Sequence, residues 1–213
     1  MSTDAHLWHH DCAHRYLVDR DSSAVPPPPV PQDAAAWSQP LDAVDGDRTT
    51  VRATISAPDD GSVVVQRLAV RVVNRRPALD WPAYAMNPGC GGSLTPARYT
   101  VDLDVPRPLA QPESGGAVNH TGEARTLPAP RLPFQVTQGD PLVLRVEATA
   151  VHCDCDWYLE AEWTRGDQHG TLRIDDAGRP FRTSGKGAGK QYYYATEGSG
   201  WTAYSSPPRT STL

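Results

Sequence analysis

Residues 152–164 read HCDCDWYLEAEWT, and this stretch decides the fold class because its residues alternate in character. Apolar or sulfur-bearing residues occupy every second position, namely Cys153, Cys155, Trp157, Leu159, Ala161 and Trp163. The positions between them are polar and mostly acidic, namely Asp154, Asp156, Tyr158, Glu160 and Glu162. Only a repeat of two separates residues in this way, so the stretch predicts a strand with one buried face and one solvated face.

Other alternating segments predict further short strands around this one. They cover residues 49–57, 63–74, 99–105, 134–136, 142–150, 171–175 and 191–194. In residues 63–74, Val65 and Val73 fall opposite Leu68 and Val70, which predicts a strand covered on both sides for part of its length. A short helix is expected only within residues 32–41. Seven or more strands separated by turn signals predict an all-β, antiparallel β-sandwich with long irregular loops, stabilised by disulfides.

The domain organisation expected from the sequence is one sandwich domain over residues 1–204. Residues 25–31, VPPPPVP, predict a polyproline II connection inside the domain, with a stiff spacer or an SH3-type ligand as alternatives. Residues 106–133 are rich in proline and glycine and are expected to form a long loop. Residues 205–213 are expected to be a disordered tail.

Charge and hydropathy exclude some classes of function. The 213 residues carry a formal net charge of −5, which argues against nucleic-acid binding, since phosphate recognition needs a concentrated basic face. No run of eighteen apolar residues predicts a membrane span, and the N-terminus lacks the apolar stretch of a secretory signal. No cofactor is expected.

The four cysteines, Cys12, Cys90, Cys153 and Cys155, form an even set, which predicts two disulfides in an oxidising compartment. Alternate residues of an extended strand have Cα atoms about 6.5–7 Å apart, at the edge of disulfide geometry. The expected pairings therefore join Cys12 and Cys90 to Cys153 and Cys155, in either of two connectivities. Because no export signal accompanies the cysteines, the chain is expected to be the exported part of a longer protein, attached to the membrane through an anchor outside this sequence.

Other chemistry for the cysteines and histidines is less consistent with their spacing. A zinc site of four cysteines lacks the usual C-x2-C knuckle. A Cys–His hydrolase would use Cys90 with His152 or His169, but no third catalytic element is recognisable. The N-terminal histidines His6, His9, His10 and His14 match no ligand motif, and they are interpreted as ordinary terminal residues.

The acidic positions of residues 152–164 have two interpretations. Together with Asp102 and Asp104 they could hold calcium if neighbouring strands brought them together. A solvated strand face whose like charges resist aggregation is the preferred interpretation.

Candidate binding residues come from two segments. The glycine-rich loop 87–92 contributes Asn87, Gly91 and Gly92, because loops on a rigid sandwich carry binding. The aromatic segment 191–204 contributes Tyr193 and Trp201 as a contact surface for carbohydrate or protein, with burial in the sandwich as the simpler alternative.

Two strings also resemble a known group of proteins. NPGCGGSLTPARYTVDLD at 87–104 and HCDCDWYLEAEWTRGDQHGTLRIDDAGRPFRTSG at 152–185 resemble the C-terminal domain of actinobacterial, Streptomyces-type transcriptional regulators. In these proteins a helix-turn-helix domain and one membrane helix precede this domain. The resemblance implies an exported domain and supplies no ligand or chemistry. The chain lacks the helix-turn-helix and membrane segments, so no DNA-binding role is assigned to it.

These observations predict a non-enzymatic, extracytoplasmic sensory or binding domain that recognises an unknown extracellular ligand or protein. One alternative is an intracellular metal-binding or thiol-dependent protein that uses Cys90, Cys153 and Cys155. Another is a structural or interaction module of a larger assembly.

Overall fold

The strand predicted at residues 152–164 is present as Cys153–Arg165, an interior strand of the largest sheet. The structure is a computed structural model that describes residues 1–7, 14–86, 94–118, 122–195 and 200–204. Its strands, in chain order, are β1 Ser2–Asp4, β2 Arg15–Leu17, β3 Val44–Gly46, β4 Arg48–Ile55, β5 Val63–Pro77, β6 Ala83–Ala85, β7 Leu94–Thr95, β8 Arg98–Asp102, β9 Gln111–Glu113, β10 Gly115–Val118, β11 Ala124–Leu127, β12 Phe134–Val136, β13 Leu142–Thr149, β14 Cys153–Arg165, β15 Gln168–Ile174, β16 Phe181–Ser184, β17 Gln191–Ala195 and β18 Gly200–Ala203.

Among the described residues, α-helical structure occurs only within the region predicted at residues 32–41. The α-helix α1 spans Ala34–Ser38, and 3₁₀ turns flank it at Pro31–Asp33 and Gln39–Leu41. A further 3₁₀ turn covers Ser22–Ala24. Among the residues that the structure describes, no helix is long and apolar enough to cross a bilayer.

The described strands form three sheets. A five-stranded sheet has the order β1-β4-β13-β8-β9, and a three-stranded sheet has the order β11-β10-β7. A ten-stranded sheet follows the order β12-β5-β14-β16-β3-β2-β6-β17-β18, with β15 paired to β14. One edge of β14 therefore pairs with β5, and its other edge is shared by β15 and β16.

The prediction of an entirely antiparallel architecture is wrong, because the sheets are mixed. The pairs β13–β8, β16–β3 and β17–β6 are parallel, although all other pairs between the described strands are antiparallel. Alternation of side chains has the same period in both arrangements, so the sequence pattern carries no information on strand direction.

The two larger sheets contribute side chains to one hydrophobic core. In the five-stranded sheet, β4 and β13 pair antiparallel with Val51 opposite Val146 and Ala53 opposite Leu144, and all four side chains are buried. From the ten-stranded sheet, β5 and β14 add buried side chains to the same cluster, with Trp157 fully buried. The period of two in these strands thus places one face of each strand in this core.

Two register shifts between β5 and β14 explain why some side chains of residues 63–74 lie on the opposite face from the one predicted. The register between β5 and β14 shifts between Glu162 and Trp163, where the β5 partners are Arg67 and Val65. The skipped residue turns Val65 onto the core face with Leu68, as a β-bulge does. A second shift lies beside Val73, which is 48% exposed, so this strand needs no second covering layer.

The segment 106–133 is less irregular than predicted. It contains β9, which extends the five-stranded sheet beside β8, and the hairpin of β10 and β11. Strand β10 also pairs with β7 and so completes the small sheet. These strands are mostly exposed and lack strong alternation, which is why the sequence pattern did not reveal them. The predicted tail at 205–213 lies outside the described residues.

Candidate ligand-binding site

A cleft of about 230 Å³ opens where the start of the chain, β2, β3 and the segment before β16 meet. Its wall includes His6 and Tyr16 on one side and Arg179 and Arg182 on the other. Asp45 of β3 lies at its floor and is 9% exposed. A concave site with a few convergent polar groups is the usual form of a small-molecule site.

A chain of buried hydrogen bonds supports Asp45 from below. The Thr49 hydroxyl donates to Asp45 Oδ2 over 2.7 Å, and the hydroxyls of Thr49 and Thr183 are 2.6 Å apart. The Trp157 indole N–H donates to Thr183 Oγ1 over 2.9 Å. On the other side, His14 Nε2 lies 3.3 Å from Asp45 Oδ1. We refer to Trp157, Thr183, Thr49, Asp45 and His14 as the buried polar chain.

The donors of the buried polar chain have only one consistent direction. The Asp45 carboxylate can only accept, so the single hydroxyl hydrogen of Thr49 is donated to Asp45 Oδ2. Thr49 therefore accepts from the Thr183 hydroxyl, and Thr183 accepts in turn from the Trp157 indole N–H. Each donated bond polarises the next, so the chain directs its positive ends toward Asp45.

The backbone at the end of β3 explains why Asp45 can lie between the sheets. Gly46 faces β2 so closely that an added Cβ would lie 2.8 Å from Arg15 Cγ. Asp47 follows with φ of 65°, a left-handed conformation, and its carbonyl accepts the N–H of Ala150 over 3.0 Å. The chain therefore leaves the ten-stranded sheet at Gly46 and enters the five-stranded sheet within two residues.

The cleft rim is held by side chains that already have partners. Tyr16 places its hydroxyl 3.2 Å from His6 Nδ1, and the Tyr16 ring meets His14 edge-on at 4.7 Å between centroids. Arg179 donates to Asp176 over 2.7 Å. The rim is thus preorganised, which reduces the entropy cost of holding a ligand.

The order of groups in the buried polar chain differs from that of a catalytic triad. In a triad the imidazole lies between the nucleophile and the carboxylate, and it removes the proton from the nucleophile. Here Asp45 lies between His14 and Thr49, so the imidazole cannot act on the Thr49 hydroxyl. Thr49 is also only 1% exposed, which keeps a substrate from its hydroxyl. The arrangement is suited to accepting hydrogen bonds from a ligand.

The acidic positions of β14 are paired with arginines. Asp154 accepts from Arg76 Nε over 2.8 Å and from Arg182 Nη2 over 2.7 Å, and Arg76 also reaches Asp156 over 2.8 Å. Asp154 is fully buried, so its predicted place on a solvated face is wrong. The reason is that strands on both edges of β14 supply arginines that cover it.

Further along β14 the pairing continues. Arg71 donates to Glu160 over 2.6 Å, and Arg67 forms an ion pair with Glu162. Cations of the same sheet thus neutralise the carboxylates that the calcium interpretation required. Within the described ranges, no group of three histidine, cysteine, aspartate or glutamate side chains is arranged to hold a metal ion.

Asp104 has a structural position beside the start of β14. Its two carboxylate oxygens accept the N–H groups of Val151, His152 and Cys153 over 2.7, 2.9 and 3.1 Å. These bonds satisfy three consecutive backbone donors where the chain turns into the strand. Asp104 therefore caps a turn, apart from the acidic face of β14.

The sulfurs of Cys153 and Cys155 are bonded to each other. Both expected connectivities joined these cysteines to Cys12 and Cys90, so this bond is a correction. The two Cα atoms are 5.5 Å apart, closer than in an extended strand, and this separation lies within the range usual for bonded cysteines. Cys12 and Cys90 lie outside the described residues, and their predicted participation in a disulfide stays a prediction.

The predicted binding residues are separated from the cleft. Tyr193 lies in β17 and packs against Tyr204 with centroids 4.9 Å apart. Trp201 lies in β18, and its ring is half-buried against Tyr84. Asn87, Gly91 and Gly92 lie outside the described residues, as do His9, His10 and the rest of that glycine-rich loop.

The sequence reasoning missed most of the buried polar chain. The sequence groups His14 only with the terminal histidines. No motif in it indicates a binding role for Asp45, Thr49 or Thr183. A signal was present in residues 44–46, VDG, where a carboxylate stands beside an apolar residue in a short strand. Thr49 and Thr183 of the same buried polar chain are 134 residues apart, so only the fold brings its members together.

Comparison with protein-family models, with curated proteins and with solved structures found no match to this chain.

Proposed function

We propose that this chain is a non-enzymatic sensory or binding domain that acts outside the cytoplasm, and that it binds a small polar ligand in the cleft above Asp45. The observation that carries the proposal is the buried polar chain, which ends at a carboxylate on the cleft floor. In this proposal the domain is the exported part of a membrane-anchored transcriptional regulator.

The cleft favours a ligand that donates hydrogen bonds. Asp45 and the polar side chains of His6 and Tyr16 line one small volume. A volume of about 230 Å³ suits a compact molecule such as a monosaccharide, a polyol or a small amine. Hydroxyl or ammonium hydrogens of such a ligand would pair with the Asp45 carboxylate.

A sensory role also needs a way to relate binding to the rest of the domain. The buried polar chain joins Thr49 of the five-stranded sheet to Thr183 of the ten-stranded sheet. A ligand that donates hydrogen bonds to Asp45 changes the balance of bonds along the buried polar chain. Binding would then favour one arrangement of the two sheets over another, as a population shift requires.

The same proposal includes the packing of the sheets. We take the five- and ten-stranded sheets as the two layers of a β-sandwich, because β4, β8 and β13 share one core with β5 and β14. The cleft would then lie at one edge of the sandwich, where β3 and β4 connect the layers.

The disulfide supports an extracytoplasmic location, since such bonds persist in oxidising compartments. The alternative of a metal-binding or thiol-dependent protein requires Cys153 and Cys155 as thiolates. Two sulfurs that are bonded to each other supply no thiolate. The disulfide therefore supports the binding-domain proposal over the thiol-dependent alternative.

A thermal-shift screen tests the ligand site. The purified chain is heated with each of a set of monosaccharides, polyols, amino acids and small amines. At about one hundred times its Kd, a true ligand raises Tm by about 5 °C or more. Asp45→Asn should abolish that rise, whereas Asp60→Asn, a matched change at an exposed turn, should leave it intact. A set with no stabilising compound, or a rise that Asp45→Asn leaves unchanged, contradicts the proposal.

The location is tested separately. Alkaline phosphatase, which is active only where its own disulfides form, is fused after residue 213 of the full gene product in its native host. Activity in intact cells is the expected result. An inactive but intact fusion contradicts the extracytoplasmic assignment and leaves the ligand site to be judged by the thermal-shift screen.

A further inference from the structure

The proline-rich segment of residues 25–31 is held by two tryptophans from distant parts of the chain. The Trp37 indole N–H donates to the carbonyl of Pro27 over 2.8 Å. The Trp201 indole N–H is shared between the carbonyls of Val25 and Pro26, at 3.0 and 3.1 Å. Both indole N–H groups therefore bind backbone carbonyls of the segment and none of its side chains.

Further aromatic rings support these two tryptophans, since Tyr16 lies against Trp37 with centroids 5.6 Å apart and two more tyrosines lie near Trp201. Tyr84 stacks on Tyr192 with centroids 5.2 Å apart, and it meets the Trp201 ring edge-on at 4.9 Å. Val25 inserts into this cluster and is 5% exposed. We refer to Trp37, Tyr84, Tyr192 and Trp201 as the aromatic cluster.

The Tyr84 hydroxyl extends the same pattern of recognition. It donates to the carbonyl of Arg20 over 2.7 Å. Burial, with the nearby Tyr192 and Asp21 groups as lesser causes, raises the pKa of Tyr84 to about 12, so the hydroxyl keeps its hydrogen at neutral pH. Three aromatic donors thus hold backbone carbonyls of residues 20–27.

This combination is the chemistry by which proteins recognise polyproline II segments. Proline has no N–H, and a polyproline II backbone has no internal hydrogen bonds, so its carbonyls are open to donors. Grooves lined by aromatic rings with polar tips bind such segments through ring contacts and donors to carbonyls. The contacts of Trp37 and Trp201 address only carbonyls, so they do not depend on the identity of the bound side chains.

We propose that the aromatic cluster is a binding site for an uncharged, proline-rich segment of a partner protein in polyproline II conformation. In this structure residues 25–31 of the same chain occupy the site and so regulate access to it. The segment carries no charge, and Pro26, Pro27 and Val30 are exposed whereas Pro28, Pro29 and Pro31 are half-buried, so Val25 is its one fully buried side chain. An incoming segment would displace residues 25–31 and would form the same hydrogen bonds to Trp37 and Trp201. This proposal uses a different surface from the Asp45 cleft and is independent of it.

The test opens the site while keeping the chain whole. The opened variant carries four substitutions that convert the segment to a flexible linker without polyproline II conformation. They are Pro26→Gly, Pro27→Ser, Pro28→Gly and Pro29→Ser. The probe is a fluorescein-labelled peptide with the sequence of residues 23–32, SAVPPPPVPQ, and binding is measured by fluorescence anisotropy. The control peptide is SAVGSGSVPQ.

The expected result is binding of the proline peptide to the opened variant, with the control peptide unbound. The wild-type chain should bind about tenfold more weakly, because its own tethered segment competes at an effective concentration on the order of mM. Adding Trp201→Phe to the opened variant removes one donor and should weaken binding about 3- to 10-fold. Adding Trp163→Phe, the same change outside the aromatic cluster, should leave the Kd unchanged.

Two outcomes overturn the proposal directly. The first is an opened variant that keeps the wild-type circular dichroism but does not bind the peptide. The second is a Kd that Trp201→Phe leaves unchanged. If light scattering finds a concentration-dependent dimer of the wild-type chain that Trp201→Phe abolishes, a second copy occupies the site, and the assignment to a partner protein is wrong.

A measurement on the wild-type chain covers the case in which the opened variant does not fold. The backbone ¹⁵N–H signals of the labelled chain are followed by NMR while the unlabelled proline peptide is added to several mM. The peptide displaces the resident segment, so the signals of Val25 and Val30 should move toward random-coil positions, whereas that of Gly170 should stay. Stationary signals at Val25 and Val30 contradict the proposal.

Discussion

The hydroxyl oxygens of Thr49 and Thr183 lie 2.6 Å apart, although the two residues belong to different sheets and are separated by 134 positions in the chain. Both side chains are buried, at 1% and 0% exposure. This bond is the middle link of the buried polar chain. It joins the five-stranded sheet to the ten-stranded sheet next to the floor of the cleft, so it is the point at which ligand binding and sheet packing meet.

A double-mutant cycle on these two threonines should therefore give a clear coupling energy. Thr49→Val and Thr183→Val each keep the side-chain shape but leave a buried partner without its donor or acceptor, at a cost of about 1–3 kcal/mol each. The double variant should lose less than the sum, by about 1 kcal/mol or more. Urea denaturation measures the free energies of unfolding. Additive effects of the two substitutions would show that the hydroxyls are not bonded.

Asp154 should contribute strongly to stability, because it is fully buried and two arginines bind it. Asp154→Ala leaves Arg76 and Arg182 facing a gap. Removing one member of a buried pair costs about 3–5 kcal/mol, and the partial exposure of these arginines and their remaining bonds to Asp156 reduce this to about 2–4 kcal/mol. Glu162→Ala, which breaks an exposed pair with Arg67 on the same strand, is the control and should change the urea midpoint little. Equal effects of the two variants would contradict the burial of Asp154.

The same carboxylate should make stability depend on pH in the acidic range. Burial favours a higher pKa for Asp154, but the hydrogen bonds and charges of Arg182 and Arg76 outweigh burial and hold the pKa below its usual value. A lowered pKa in the folded state gives stability that is fully present above the unfolded-state pKa of about 3.9. That stability is lost as pH falls from about 4 through the folded-state pKa.

Urea midpoints of the wild-type chain and of Asp154→Asn between pH 7 and pH 2.5 test this dependence. The difference between the two proteins should shrink as pH falls below about 4, since protonation removes the charge that the variant already lacks. A constant difference across this range would mean that the Asp154 charge does not contribute.

The disulfide has a direct chemical test. Trypsin cleaves after Arg145 and Arg165, so one peptide of residues 146–165 contains both Cys153 and Cys155 and no other cysteine. Without reductant this peptide should be found unlinked and lighter by two hydrogen atoms than after reduction. A peptide cross-linked to one that contains Cys12 or Cys90 would instead support the connectivities expected from the sequence.

The strands that the sequence predicted well are those with one fully buried face. In β14 the alternation from Cys155 to Ala161 is observed residue by residue, and β4 and β13 behave likewise. Such strands follow from their own residues, because burial of one face requires a period of two. Trp163 departs from the pattern, since a bulge precedes it and its ring lies over Gly170, which has no side chain to displace it.

The candidate sites were less accessible to prediction, because both depend on contacts between distant residues. Residues 25–31 and Trp201 were each recognised as unusual, yet nothing in either segment indicates that one binds the other. Asp154 was assigned to the solvated face by alternation alone, which cannot foresee arginines arriving from β5 and β16. Asp45 is recognisable as a candidate ligand-binding residue only in the fold, which places β3 beside His14 and Thr49.

The most direct test of the central claim is an NMR titration of the ¹⁵N-labelled chain with the strongest ligand of the thermal-shift screen. The account predicts that the largest shift changes map to Asp45 and to both Thr49 and Thr183, and that Asp45→Asn removes them. Shift changes that lie away from the cleft, or that persist in Asp45→Asn, would contradict it.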